Sequence, residues 1–170
     1  GGLDVPTSAV CCYFTQPDFV AAHAETIEQR LDELDPDATR VLFSAHGLPE
    51  KIVKDGDPYQ WQVEQTVSAV VQAMERPIDY RICYQSRVGP LAWIGPSTES
   101  EIQQAGAEGK NLVVVPIAFV SEHSETLVEL DIEYGRLAGE SGVPEYRRVP
   151  ALGAETRFIQ SLATMVKSTT

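Results

Sequence analysis

Two stretches of the chain carry residue types able to move protons or hold a cation. The first, VLFSAHGLP at residues 41–49, is a short apolar run that ends on His46 between the small residues Ala45 and Gly47, then breaks at Gly47 and Pro49. A strand ending this way presents an imidazole at a rim, where a ring that titrates near neutral pH serves as a base or a neutral metal ligand. The second, VPIAFVSEHSETLVELDIEY at residues 115–134, delivers Glu122, His123 and Glu125 after another apolar run. Glu125, Glu129 and Glu133 follow at a spacing of four. At about 100° per residue this puts three carboxylates on one face of an α-helix, well away from Leu127, Leu130, Tyr134 and Leu137. The expectation is an amphipathic helix with an acidic outer side. As chemistry, that side is a carboxylate track handling a divalent cation, with His46 and His123 as neutral ligands or proton acceptors. Mixed nitrogen and oxygen donors suit iron(II), cobalt, nickel or zinc and do not select among them. The competing structural readings are a histidine satisfying a backbone carbonyl and an ordinary solvated glutamate face.

A third group lies at the end of another candidate strand. Gln85 and Ser86 are neutral hydrogen-bonding residues that, with Arg87, could hold a carboxylate, while Tyr84, Trp93 and Phe119 could supply flat apolar walls for an aromatic ligand. The remaining histidine, His23, falls in a helix of mixed polarity and is expected to be exposed or packed. Other chemistries lack their signatures: there is no G-x-G-x-x-G, no G-x-x-x-x-G-K-[ST] and no H-E-x-x-H. Ser44 precedes His46 on what would be the same strand face, but G-x-S-x-G is absent and no orienting acid is evident.

Strand and helix signals alternate around these groups. Strands are expected at residues 9–14, 41–45, 80–84, 112–116 and 146–149. Helices are expected at 17–34, opened by Pro17, then at 57–75, from Ser97 to about Gly106, at 124–138 and at 155–166. Thr98 three residues before Glu101 is a capping-box pattern. Such alternation implies a parallel sheet with helices on both faces, because parallel strands need crossover connections. Ligands then bind beyond the C-terminal strand ends, which makes the loops after Ala45, Tyr84 and Val120 one rim.

The 170 residues, 43% of them hydrophobic, suit a single domain with a real core. A formal charge of −12, from 13 Lys and Arg against 25 Asp and Glu, argues against a nucleic-acid partner, since phosphate binding needs a basic surface. The longest apolar stretch, at residues 112–120, is far short of the roughly 20 residues that span a bilayer. The start, GGLDVPTSAV, has neither an initiating Met nor a signal-type run and reads as a cut end of a larger protein. Three cysteines without a C-x-x-C pair fit a reducing compartment. Cys83 belongs to an apolar strand, and the neighbours Cys11 and Cys12 point apart on an extended chain, which disfavours joint metal ligation.

Taken together, CCYFTQPDFVAAHAETI, VLFSAHGLPEKIVKDGDPYQWQVEQT, YQSRVGPLAWIGPSTESEI and VVVPIAFVSEHSETLVELDIEY closely resemble the ferrochelatases, which insert iron(II) into a porphyrin in heme biosynthesis. The resemblance covers nearly the whole chain, and SAHGLP followed by GDPY is highly specific. It implies that residues 1–170 are the C-terminal chelatase domain, a Rossmann-like α/β half whose N-terminal counterpart is absent and which is possessed of limited or no activity alone. His46 would then be the catalytic histidine facing the macrocycle, and His123 with Glu125 the second metal-handling group. Glu122, Glu129 and Glu133 would continue the acidic path, Gln85 and Ser86 would contact the propionates, and Trp93 would be the cleft aromatic.

The resemblance further implies Fe(II) as substrate, protoporphyrin IX or coproporphyrin III as its partner, and a bacterial cytoplasmic location with peripheral membrane contact through the other half. Some members bind a [2Fe-2S] cluster through cysteines near their C-terminus; no cysteine follows Cys83, so no such cluster is expected. Two alternatives stay open: a cobalt or nickel chelatase for another tetrapyrrole, and a non-catalytic tetrapyrrole- or metal-binding module.

Overall fold

The structure, a computed structural model, describes residues 7–168 except Glu33. Residues 1–6, where the cut-end reading falls, and Glu33, within the first expected helix, lie outside it. Four parallel strands form one sheet in the order β2-β1-β3-β4: β1 (Thr39–His46), β2 (Asp79–Gln85), β3 (Asn111–Pro116) and β4 (Tyr146–Arg148). The central strand β1 is buried along both faces, as its unbroken apolar run requires. Its register sets Ala45 beside Tyr84, His46 beside Gln85 and Ser44 beside Pro116, so all three C-terminal strand ends reach the same edge.

Alternation along the strands divides the core. Val41, Phe43 and Ala45 face α1 (Pro17–Leu31) and α3 (Tyr59–Ala73) through Ile27, Leu31, Val67 and Val70. Leu42, Cys83, Leu112 and Val114 face the opposite layer, Ile102 and Ala105 of α4 (Thr98–Ala107) and Ala138 of α5 (Tyr134–Glu140). A short helix, α2 (Glu50–Lys54), follows β1, and α6 (Thr156–Ser168) packs on α1 with Phe158 against Phe19. α4 and α5 meet where Gly106 has no side chain: a Cβ there would lie 2.1 Å from the Ser141 carbonyl oxygen.

Three expectations are corrected. Residues 9–14 form no strand; the segment has no regular structure and ends in a turn at Phe14, whose carbonyl accepts from Thr66 Oγ1 of α3 at 2.9 Å. The cap of α4 is Ser97, whose side chain accepts from the Ser100 N–H, and Glu101 is buried instead of completing a capping box with Thr98. The long helix expected at 124–138 is a π-helix over Glu125–Glu133 that passes into α5, with the Tyr134 N–H reaching back five residues to the Glu129 carbonyl.

Candidate active site

The π-winding decides which side chains enter the site. Hydrogen bonds from residue i to i+5 lower the rotation to roughly 80° per residue from the α value of about 100°. Leu130 and Tyr134 then swing onto the side that carries Glu125 and Glu129, and Leu127, Val128 and Ile132 swing outward. The burial follows this pattern: Leu130 is 0% and Tyr134 4% exposed, whereas Leu127 is 47% and Ile132 63% exposed. The expected acidic outer face is therefore corrected. Glu125 and Glu129 turn toward the ends of β1 and β2, and Leu127 does not belong to the apolar face.

His46 and Glu125 meet at the rim, with Nδ1 2.9 Å from Oε2. An ionised carboxylate only accepts, so the Nδ1 hydrogen donates to it and the lone pair of the neutral ring is left on Nε2. Both side chains are about two-fifths exposed, and the pair therefore meets solvent or a ligand. Gly47 lets the chain turn away at this point. Its N–H donates to the Gln85 carbonyl at 2.8 Å, and a Cβ on it would lie 2.9 Å from that same oxygen and 3.4 Å from the Trp93 ring.

Glu129 is engaged on the same side. It accepts from the Ser86 N–H at 2.8 Å, Ser86 Oγ at 2.5 Å, Gln85 Nε2 at 3.0 Å and the Tyr134 hydroxyl at 3.0 Å. Gln85 is fully buried. Its amide also donates to the Glu125 carbonyl at 3.1 Å and accepts from Ser44 Oγ at 2.9 Å. The donors of Gln85 and Ser86 that were expected to meet a substrate carboxylate are thus turned to Glu129.

The rest of the expected metal set is dispersed, and among the described residues no three His, Cys, Asp or Glu side chains form a metal-holding group. His123 Nδ1 accepts from the Glu125 N–H at 3.2 Å, so the neutral ring carries its hydrogen on Nε2; the ring also stands edge-on to Phe119 at 4.8 Å. Glu122 pairs with Arg148 Nη1 at 2.9 Å and takes the Ala151 N–H at 3.0 Å. Burial alone would raise its pKa, but hydrogen bonds from Thr126, Arg148 and Ala151 together hold it below the ordinary carboxylate value. Glu133 is exposed.

Of the expected aromatic walls, Tyr84 is 1% exposed and belongs to the core. Trp93 covers Gly47 on a loop that bridges back to Pro49. A groove of about 340 Å³ is walled instead by Tyr13, Phe14, Phe19, Tyr59 and Ile117; His46 does not line it, and Tyr59 is the wall residue that touches His46. Tyr59 shares a backbone hydrogen bond with His46, and burial pushes its phenol up to about 12, so it stays a neutral hydroxyl. These wall residues escaped sequence reading because they come from three separate segments. Only the helix pattern of α3, read backward to its first turn, points to Tyr59.

A parallel sheet layered by helices on both faces, with its polar residues gathered at the C-terminal strand edge, is a Rossmann-like α/β fold. Its fold is shared with the solved structure of SirB from Bacillus subtilis with Fe3+, at a TM-score of 0.60 over 91% of this chain and 54% of that one, with 16% identity. The family model described as Ferrochelatase matches residues 2–170. Ferrochelatases of Pelagibacter ubique, Phenylobacterium zucineum and Caulobacter vibrioides are 51%, 56% and 53% identical over 95%, 91% and 98% of the chain. The chain belongs to the ferrochelatase family. It spans about half the length of these relatives, 47%, 45% and 48% respectively.

Proposed function

We propose that this chain supplies one half of a ferrochelatase and carries the base that deprotonates a porphyrin as Fe(II), the metal substrate, enters it. The observation that carries the reading is the His46 Nδ1 to Glu125 Oε2 contact of 2.9 Å. Metallation releases two pyrrole protons. His46 Nε2 accepts the first, passes it to the water that its part-exposed ring meets, and then accepts the second, while Glu125 stabilises each imidazolium so formed and holds the ring in the tautomer that keeps Nε2 basic. The second oxygen of Glu125 and the exposed Glu133 meet the incoming cation, whose hard, hydrated character suits carboxylate donors. The groove walled by Tyr13, Phe14, Tyr59 and Ile117 offers the flat apolar surface that a macrocycle needs. Protoporphyrin IX and coproporphyrin III both satisfy this chemistry, and the other half of the protein closes the cleft.

The test is iron insertion by the protein at the full length of its relatives. His46→Ala should abolish insertion while circular dichroism stays unchanged. Near-normal turnover by that variant would sink the role given to His46. The isolated chain, assayed beside it, should bind porphyrin weakly and turn over little.

A further inference from the structure

Tyr134 and Glu99 lie outside every group that sequence reading marked for chemistry, yet they complete the polar network behind the rim. The Tyr134 hydroxyl is within 3.0 Å of both Glu129 Oε1 and Glu99 Oε1, and the residue is 4% exposed. Burial and then the two carboxylates push its pKa far up, so it remains a hydrogen donor. Its target, Glu129, already takes three hydrogen bonds from Gln85 and Ser86. A carboxylate has about four lone-pair sites, and Tyr134 fills the last. Ser86 is the only non-glycine described with positive φ, at 59°, a conformation held by the two bonds it sends to Glu129.

We propose that Tyr134 is a positioning residue that locks Glu129 onto Gln85 and Ser86, so that Glu129 braces the π-helix instead of carrying the cation, while Glu99 is the rival acceptor for the single tyrosine hydrogen. The consequence reaches the base. Gln85 Nε2 divides its hydrogens between Glu129 and the Glu125 carbonyl, so the brace sets the backbone from which Glu125 holds His46. A saturated carboxylate has no lone pair left for a metal. The inference rests on the pairing of His46 with Glu125 proposed above.

The experiment compares Tyr134→Phe, Glu129→Gln, their double variant and Glu99→Ala in the full-length protein, varying Fe(II) and porphyrin separately. Tyr134→Phe should lower kcat about ten-fold, the effect of losing one hydrogen bond to a charged group, with the KM for iron unchanged. The double variant should be no worse than Glu129→Gln alone. Glu99→Ala, which removes the rival acceptor and leaves the tyrosine hydrogen to Glu129 alone, should keep the kcat of the parent protein. A raised iron KM in Glu129→Gln, or an unchanged kcat in Tyr134→Phe, overturns the brace. Hydrogen exchange separates this from a failure of the catalytic reading: even if His46→Ala proves active, the Ser86 amide should lose protection in Tyr134→Phe, and retained protection refutes the proposal.

Discussion

Acid should loosen this chain through one buried histidine. His23 on α1 is 2% exposed and stacked edge-on against Phe19 at 4.7 Å. Its Nε2 has no hydrogen-bond partner among the described residues. Burial pushes its pKa from 6.5 down to about 4. The unfolded chain takes up a proton below about pH 6.5, and the folded chain refuses it until near pH 4, so the unfolded state binds more protons throughout that window and stability falls as pH falls. Integrating the difference gives a loss of about 2 kcal/mol between pH 7 and pH 5, a range in which most carboxylates stay ionised. Urea denaturation followed by circular dichroism at those two pH values, on the chain and on His23→Leu, measures it. The chain should lose about 2 kcal/mol that the leucine variant keeps. Equal pH slopes in the two proteins would refute the assignment of this proton to His23.

Other outcomes follow from single contacts. Glu125→Gln in the full-length protein keeps a hydrogen-bonding side chain but removes the charge that stabilises the His46 imidazolium; because the pair is partly solvated, kcat should drop roughly ten- to hundred-fold in an iron-insertion assay, less than for a buried dyad. Gly106→Ala drives a methyl into the Ser141 carbonyl at 2.1 Å, and the roughly 1 kcal/mol of helix propensity gained cannot offset a net loss of about 2 kcal/mol in thermal unfolding. Arg148→Met removes the cation that joins Glu122 to Asp131 of the π-helix; it should cost about 1–2 kcal/mol and speed hydrogen exchange across residues 122–133 before the sheet opens.

Much of the architecture was legible because it is local. The apolar run 41–45 and the β-branched run 112–116 had to be buried strands, and the periodicity of 59–73 had to be a helix, since no other conformation buries those side chains on one surface. Residues 9–14 show the limit: a run of small and apolar residues suits a strand, but whether it pairs depends on a free sheet edge, which lies outside the segment. The glutamates show it more sharply. A spacing of four fits an α-helix, and nothing local announces the wider π-turn that carries Glu129 inward and Leu127 outward.

The sequence by itself determined the sheet-and-helix alternation, the family, and the placement of His46 at a strand end, because each is written in residue types over short spans. Tertiary structure alone decided which groups meet. It joined His46 to Glu125, spent the donors of Gln85 and Ser86 on Glu129, tied Glu122 to Arg148, and buried Tyr84 while bringing Tyr13, Phe14 and Tyr59 to the groove. The physical reason is that a hydrogen bond or a groove wall is a relation between distant segments, fixed by strand register and helix winding. One change of winding, from α to π, rotates side chains enough to exchange a solvated face for a working one.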